Sequence, residues 1–218
     1  MKAVLFDLDG TLLDRDRTLL YFLENQYNRF FQNGQEKRRF MKRFIELDRG
    51  GYTPKSEVYP LLAEEFNFYN QEDLLEDYNE NLQEYCQPFT GLLPMLEKLK
   101  SHYKLGIITN GRETMQASMI HKLGISRYFD SIVISETEGI KKPDPALFHL
   151  ACERLQVAPH EAVFVGDHPE NDIAAAQFVG MRGFWIMNER YDCAHADEYI
   201  TDLDHLPFAI HAEGRVTQ

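Results

Sequence analysis

The chain opens with four apolar residues, Ala3 to Phe6, that run without a break into Asp7-Leu8-Asp9-Gly10-Thr11. A short continuous apolar run bounded by polar residues predicts a strand buried on both faces. From Asp16 to about Gln87 the period changes. Apolar and aromatic residues recur at helical spacing: Leu19, Phe22, Leu23, Tyr27 and Phe30; Phe40, Phe44 and Leu47; Val58, Leu61, Leu62 and Phe66; Leu74, Tyr78, Leu82 and Tyr85. This pattern predicts about four amphipathic helices, punctuated at Asn33-Gly34, Arg49-Gly50-Gly51 and Asn67 to Asn70.

After Pro88 the texture changes again. Helices are expected over Leu92 to Lys100, Thr114 to Leu123 (closed by Gly124), Asp144 to Leu155 and Asp172 to Val179. Strands are expected over Leu105 to Thr109, Ile132 to Ile134, Ala162 to Val165 and Gly183 to Met187. Asp144-Pro145 is an N-cap followed by a first-turn proline. Strands alternating with helices predict an α/β, Rossmann-like parallel sheet covered on both faces. The expected organisation is a core of residues 1–15 and 88–218 with a helical insertion at 16–87, and a tail over the last few residues.

Three of the apolar runs end in polar clusters: Asp7-Leu8-Asp9-Gly10-Thr11, Thr109-Asn110-Gly111, and Gly166-Asp167-His168 with Asn171-Asp172 just beyond. In an open parallel sheet the ligand site lies outside the carboxyl ends of the strands, so these clusters should converge. Lys141-Lys142-Pro143, after the Ile132 run, can bring a cation to the same rim. Acids that crowd together in a buried site are costly unless something offsets their charge.

Overall charge narrows the partners. The net charge is −12, from 23 Lys and Arg against 35 Asp and Glu. That balance argues against nucleic acid and anionic membranes as partners, but a local site can still take an anion. Cys86, Cys152 and Cys193 are far apart with no paired spacing, which fits unpaired thiols in a reducing cytoplasm. The first apolar run stops at Asp7, too short for a signal peptide, and no long apolar stretch follows. The expectation is a cytoplasmic monomer or weak homodimer.

The residue types at the strand ends specify chemistry. Asp7, Asp9 and Asp167 suit a hard cation with oxygen ligands, foremost Mg²⁺. Thr109, the backbone N–H groups around Asn110, and a lysine are donors for phosphate oxygens. Acids, Mg²⁺ and a phosphate cradle together point to phosphoryl transfer with a carboxylate nucleophile. No GxxxxGK[ST] run occurs, which disfavours a nucleoside-triphosphate motor.

The four segments DLDGT at 7–11, TNG at 109–111, KKPDP at 141–145 and GDHPEND at 166–172 resemble, in order, the motifs of the haloacid dehalogenase superfamily of aspartate-nucleophile hydrolases. The resemblance runs from Met1 to about Trp185, and the insertion resembles that family's small α-helical cap. It implies Asp7 as nucleophile and Asp9 as general acid and base, with the Asp9 carbonyl also on Mg²⁺. It implies Thr109, Asn110 and Lys142 on phosphate, Asp167 completing the metal shell, and Asp172 beside Mg²⁺ or the lysine. His168 stands where relatives usually carry a small residue; it reads as a turn residue or a proton carrier. An acid at position 9 favours a phosphatase or phosphomutase over a dehalogenase.

The resemblance thus implies a Mg²⁺-dependent phosphatase acting on a small phosphorylated metabolite. Rivals are a phosphomutase or phosphotransferase and a non-catalytic phosphate-binding module. Arg49 and Tyr52, beside Gly50-Gly51, are candidates for substrate contact from the insertion, or parts of a plain turn. Arg112 is a candidate for substrate contact or for a helix cap. Cys193, His195 and Asp197 read as a loop.

Overall fold

The computed structural model describes residues 1–31 and 34–213. The expected break at Asn33 and the expected tail beyond residue 213 lie outside the described residues. In chain order the main elements are β1 (Ala3–Phe6), α1 (Arg15–Phe30), α2 (Lys37–Asp48), α3 (Lys55–Phe66), α4 (Gln71–Asn81), α5 (Leu92–Lys100), β2 (Lys104–Thr109), α6 (Glu113–Lys122), β3 (Ser131–Ile134), α7 (Ser135–Glu138), α8 (Pro145–Leu155), β4 (Ala162–Gly166), α9 (Ala175–Phe178), β5 (Arg182–Ile186), β6 (Glu198–Ile200) and α10 (Leu206–Glu213). Two compact units result: Asp16–Cys86, and Met1–Arg15 together with the chain from Gln87 on.

The α/β unit is built on one six-stranded sheet in the order β3-β2-β1-β4-β5-β6, with every pairing parallel. The α/β fold expected from the alternating pattern is what forms. All four residues of β1 are fully buried, and Leu105, Ile107, Ile108, Val163, Phe164 and Val165 on its two neighbours are fully buried too. Central strands lie between two helical layers, so they carry apolar side chains on both faces rather than alternating ones. Strand order reverses between β1 and β4, and the clefts at such a reversal open outside the strands' carboxyl ends. Phe6 pairs with Ile107 on one side and Val165 on the other, so Asp7, Thr109 and Asp167 emerge from three adjacent strands.

Local rules set the helix starts. Asp144 accepts a hydrogen bond from Ala146 N at 2.9 Å and Pro145 is the first residue of α8, the cap expected from the sequence. The expected helix from Asp172 begins instead as a π-helical turn over Pro169–Ala174 that runs into α9. Such wide turns often sit at functional sites. Three elements were not expected at all: α7, β6 and α10. β6 is three residues long and holds Glu198 and Tyr199 beside one apolar residue, too little for a period to show; α10 follows it.

The chain leaves β1 and later returns toward α5 along one seam. Asp14 N donates to Gln87 O at 2.8 Å and Phe89 N to Leu12 O at 3.2 Å.

The helical unit has its own core. Phe22 meets Tyr78 edge to face at 5.5 Å, and Phe44 meets Tyr59 at 5.4 Å. Such pairs add about 0.5–1.5 kcal/mol each beyond their burial. Gln26, fully buried on α1, accepts from Tyr59 Oη at 2.8 Å and donates to Asp77 at 3.0 Å and to Leu74 O at 2.9 Å. Arg29 closes the network on Asp77 at 2.7 Å, so these polar groups are satisfied inside an apolar interior. No helix among the described residues is long and apolar enough to cross a membrane.

Candidate active site

β1 delivers Asp7, and the strand ladder fixes it: Asp7 N donates to Val165 O at 2.9 Å. Its carboxylate is held by Lys142, whose Nζ lies 2.6 Å from Asp7 Oδ1 and 2.7 Å from Asp172 Oδ1. All three side chains are buried. Lys141, by contrast, is exposed, so of the two lysines only Lys142 reaches the site.

Lys142 is placed by Asn110 at the end of β2. Asn110 Oδ1 accepts from Lys142 N at 2.9 Å, and Asn110 Nδ2 donates to Lys142 O at 3.0 Å. This two-point clamp joins the cluster at the end of β2 to the lysine segment that follows β3. The Asn110 side chain is thus committed to the backbone of Lys142, and the group left to face a phosphate is the backbone N–H, as expected from the sequence. Behind it, Ser135 Oγ accepts from Gly111 N at 3.0 Å.

Asp172 reaches the site because of Gly166. A Cβ on Gly166 would lie 2.5 Å from the Cβ of Asp172, a distance that side chains do not tolerate. With glycine there, Asp172 packs over the end of β4, and its second oxygen accepts from His168 N at 3.0 Å. Gly10 does the same for Asp167: its backbone is left-handed, and a Cβ would meet Asp167 Oδ2 at 2.5 Å. Asp167 is anchored from the opposite side, its carbonyl accepting from Trp185 Nε1 at 2.8 Å and Asn188 Nδ2 at 2.9 Å.

Asp7, Asp167 and Asp172 thus each bring a carboxylate oxygen within 4.8 Å of the others. Burial pushes Asp7 up to about 7 against the opposing pull of Lys142. Burial and then the charge of Asp7 push Asp167 up to about 8. Burial alone would depress Lys142, but the carboxylates of Asp172 and Asp7 outweigh it and hold the ammonium above the ordinary lysine range. One buried cation therefore faces two buried acids, Asp7 and Asp172, and the half-buried Asp167. The residual negative charge, made of oxygen donors only, fits a divalent hard cation. Asp7 and Asp167 are the acids suited to hold it, since Asp172 is engaged with both Lys142 and the backbone of His168.

The carboxylate of Asp9 takes a different direction. Its Oδ2 accepts from Gln116 Nε2 at 3.0 Å, and Gln116 Oε1 accepts from Thr109 Oγ1 at 3.3 Å. Gln116, Ser135, Trp185 and Asn188 were not foreseen. Nothing in their local sequence sets them apart, because each acts through a contact that exists only once the sheet is assembled.

His168 is a turn residue. Its Nδ1 accepts from Glu170 N and Asn171 N, both at 3.1 Å, capping the π-helical turn, and its ring rests on Tyr191 with centroids 4.5 Å apart. Burial keeps its proton affinity below the usual histidine range. Arg112 stands at the N-cap position of α6 and is exposed, but its side chain makes no capping hydrogen bond, contrary to the cap reading. Arg49 and Tyr52 belong to the helical unit and both are exposed. Arg49 and Gly50 take left-handed backbone in the turn after α2. Cys193 lies near His195 within a loop, 3.9 Å from Sγ to Nε2, and all three cysteines are free thiols.

The chain is similar to known proteins over most of its length. The profile of the haloacid dehalogenase-like hydrolases matches residues 4–186. A glyceraldehyde 3-phosphate phosphatase of Methanopyrus kandleri is 30% identical over 200 residues, covering 88% of this chain and 86% of its own. The HAD phosphatase structure from Thermococcus onnurineus matches with 31% identity and a TM-score of 0.68, over 96% of this chain and 98% of its own. YfnB of Bacillus subtilis, in a magnesium-bound crystal form, matches with a TM-score of 0.81 over 96% of this chain and 98% of its own; at 23% identity this is a likeness of fold. With its profile spanning most of the chain and a relative matched along nearly the whole length, the chain belongs to the haloacid dehalogenase-like hydrolases.

Proposed function

We propose that the chain is a Mg²⁺-dependent phosphatase that hydrolyses a small phosphorylated metabolite through an aspartyl phosphate on Asp7. The carrying observation is the Asp7–Lys142–Asp172 chain of contacts at 2.6 and 2.7 Å, with Asp167 alongside, at the mouth of adjacent parallel strands. The chain is an enzyme of the phosphoric monoester hydrolase class, in line with the phosphatases it resembles.

In this reading Lys142 holds Asp7 in place and favours its ionised form. The Asp7 carboxylate attacks phosphorus, the bond from phosphorus to the leaving oxygen breaks, and Asp9 gives that oxygen its proton. A water molecule then attacks the aspartyl phosphate, Asp9 takes the water's proton, and orthophosphate leaves with Asp7 restored. Thr109 Oγ1, Lys142 Nζ and the backbone N–H of Asn110 are the donors for the phosphoryl oxygens. Mg²⁺, bound by Asp7, Asp167 and the Asp9 carbonyl, would neutralise charge on the phosphoryl group.

The reading carries with it a cytoplasmic monomer or weak homodimer and no nucleic-acid or membrane partner. It also assigns the helical unit, Asp16–Cys86, the task of selecting the leaving group, since the phosphate donors all belong to the α/β unit. The test is phosphate release from a panel of phosphorylated metabolites and from p-nitrophenyl phosphate, with EDTA and then with added Mg²⁺. Release that stops in chelator and returns with Mg²⁺ is the expected result. No release from any monoester in Mg²⁺ would sink the proposal.

A further inference from the structure

One amide joins two residues of the site and has no task in the steps above. Gln116 Nε2 donates to Asp9 Oδ2 at 3.0 Å, and Gln116 Oε1 accepts from the Thr109 hydroxyl at 3.3 Å. Chemistry fixes the amide's orientation: turned over, it would set a carbonyl oxygen against a carboxylate oxygen. Packing fixes its position. Gln116 is 5% exposed and Thr109 1%. The Gly111 backbone lies so close that a Cβ there would stand 2.6 Å from Gln116 Nε2.

We infer that Gln116 is a positioning residue for Asp9, and that it makes the placement of Asp9 depend on whether phosphate has engaged Thr109. The inference rests on the reading of Asp9 as proton donor and Thr109 as phosphate ligand. A hydroxyl carries one proton. In the ligand-free site that proton points at Gln116 Oε1, which locks the amide and docks Asp9 on Nε2. When the hydroxyl turns to a phosphoryl oxygen, Oε1 loses its donor and the amide loses one of its two anchors. The amide still donates to Asp9 and, freed from Thr109, turns with it, so that Gln116 guides Asp9 toward the leaving oxygen when a substrate is present. Proton donation is thereby tied to occupancy of the phosphate cradle.

Two variants separate this role from plain packing. Gln116→Glu keeps the size and the acceptor facing Thr109 but sets a carboxylate against Asp9. Gln116→Met keeps the volume and removes both contacts. Each is assayed with p-nitrophenyl phosphate, whose leaving group needs little protonation, and with an alkyl phosphate, whose leaving group needs it. Asp9→Asn is run beside them, and circular dichroism checks folding. Both Gln116 variants should lose about tenfold more kcat/KM on the alkyl phosphate than on p-nitrophenyl phosphate, a fraction of the roughly 10²–10⁴ that general acid–base catalysis supplies. An equal loss on both substrates, while Asp9→Asn separates them, overturns the role of Gln116 and leaves that of Asp9 standing. Failure of Asp9→Asn to separate them overturns both. If Gln116→Met does not fold, Gln116→Glu alone carries the comparison. The link to Thr109 has its own readout. The Gln116 side-chain amide resonance, assigned by its loss in Gln116→Met, should shift as inorganic phosphate is added, and an unmoved resonance at saturating phosphate overturns the coupling.

Discussion

Lys142 Nζ and Asp172 Oδ1 are 2.7 Å apart, and the same ammonium lies 2.6 Å from Asp7 Oδ1, so one buried cation ties the end of β1 to the turn after β4. Lys142 and Asp172 are both less than 5% exposed. Breaking a buried pair by removing one partner costs more than the pair contributes net, because it strands the other charge.

Lys142→Gln is therefore expected to abolish turnover and to destabilise the fold by about 3–5 kcal/mol at neutral to alkaline pH. Without the ammonium, nothing opposes the burial that raises Asp7, and its carboxyl binds a proton more tightly in the folded than in the unfolded chain. The folded state then holds more protons, and its stability falls as pH rises from the unfolded carboxyl value toward the raised folded one. Urea unfolding at about pH 5.5 and about pH 8 should show the larger loss at the higher pH. A loss that is the same at both would count against stranded carboxylates as the cause.

Asp7→Asn removes the attacking group and keeps the shape. The variant should fold, retain an amide oxygen facing Lys142 Nζ, and show no measurable phosphate release. Mass spectrometry of the native enzyme, quenched in acid during turnover, should find a phosphate mass on the peptide containing Asp7. Near-normal turnover by Asp7→Asn would remove Asp7 from the chemistry.

Mg²⁺ affinity should rise with pH. In the metal-free protein Asp7 and Asp167 are raised to about 7 and about 8, so in mildly acid solution both carry protons that a cation must displace. The gain should be steepest through that window and level off above it. Calorimetry in buffers of different ionisation heats should report proton release near neutrality and little in alkaline solution. Affinity that does not vary with pH would mean that these two carboxyls are not the ligands.

Arg49→Ala with Tyr52→Ala tests whether the turn after α2 takes part in selecting the leaving group. Both side chains are exposed, so folding should be unaffected. If the turn takes part, the order of preference across the metabolite panel should change while p-nitrophenyl phosphate turnover stays within a few-fold. An unchanged order leaves Arg49-Gly50-Gly51 as a turn only.

The sequence by itself determined the α/β class. Buried parallel strands must be apolar on both faces, and runs such as Val4-Leu5-Phe6 and Val163-Phe164-Val165 read that way without any knowledge of their partners. It also marked Asp7, Thr109 and Asp167, because acids and a hydroxyl directly after apolar runs are out of place unless they face a ligand, whereas Lys142 and Asp172 were singled out by the resemblance to the family's motifs. Helix α8 was legible from Asp144-Pro145 because capping is a local interaction.

What tertiary structure alone decided is which groups meet. The sheet order sets β1 between β2 and β4, and only that order brings three polar clusters to one rim. The Asn110 side chain could not be assigned from its motif, since its clamp on Lys142 joins residues 32 apart in sequence. Gln116 was invisible for the same reason: its contact with Asp9 spans 107 residues. Gly166 reads as an ordinary strand-end glycine until Asp172 is seen packed against it. Local propensity and periodicity follow from neighbours along the chain, whereas the geometry of a site follows from neighbours in space, and those are fixed only when the sheet closes.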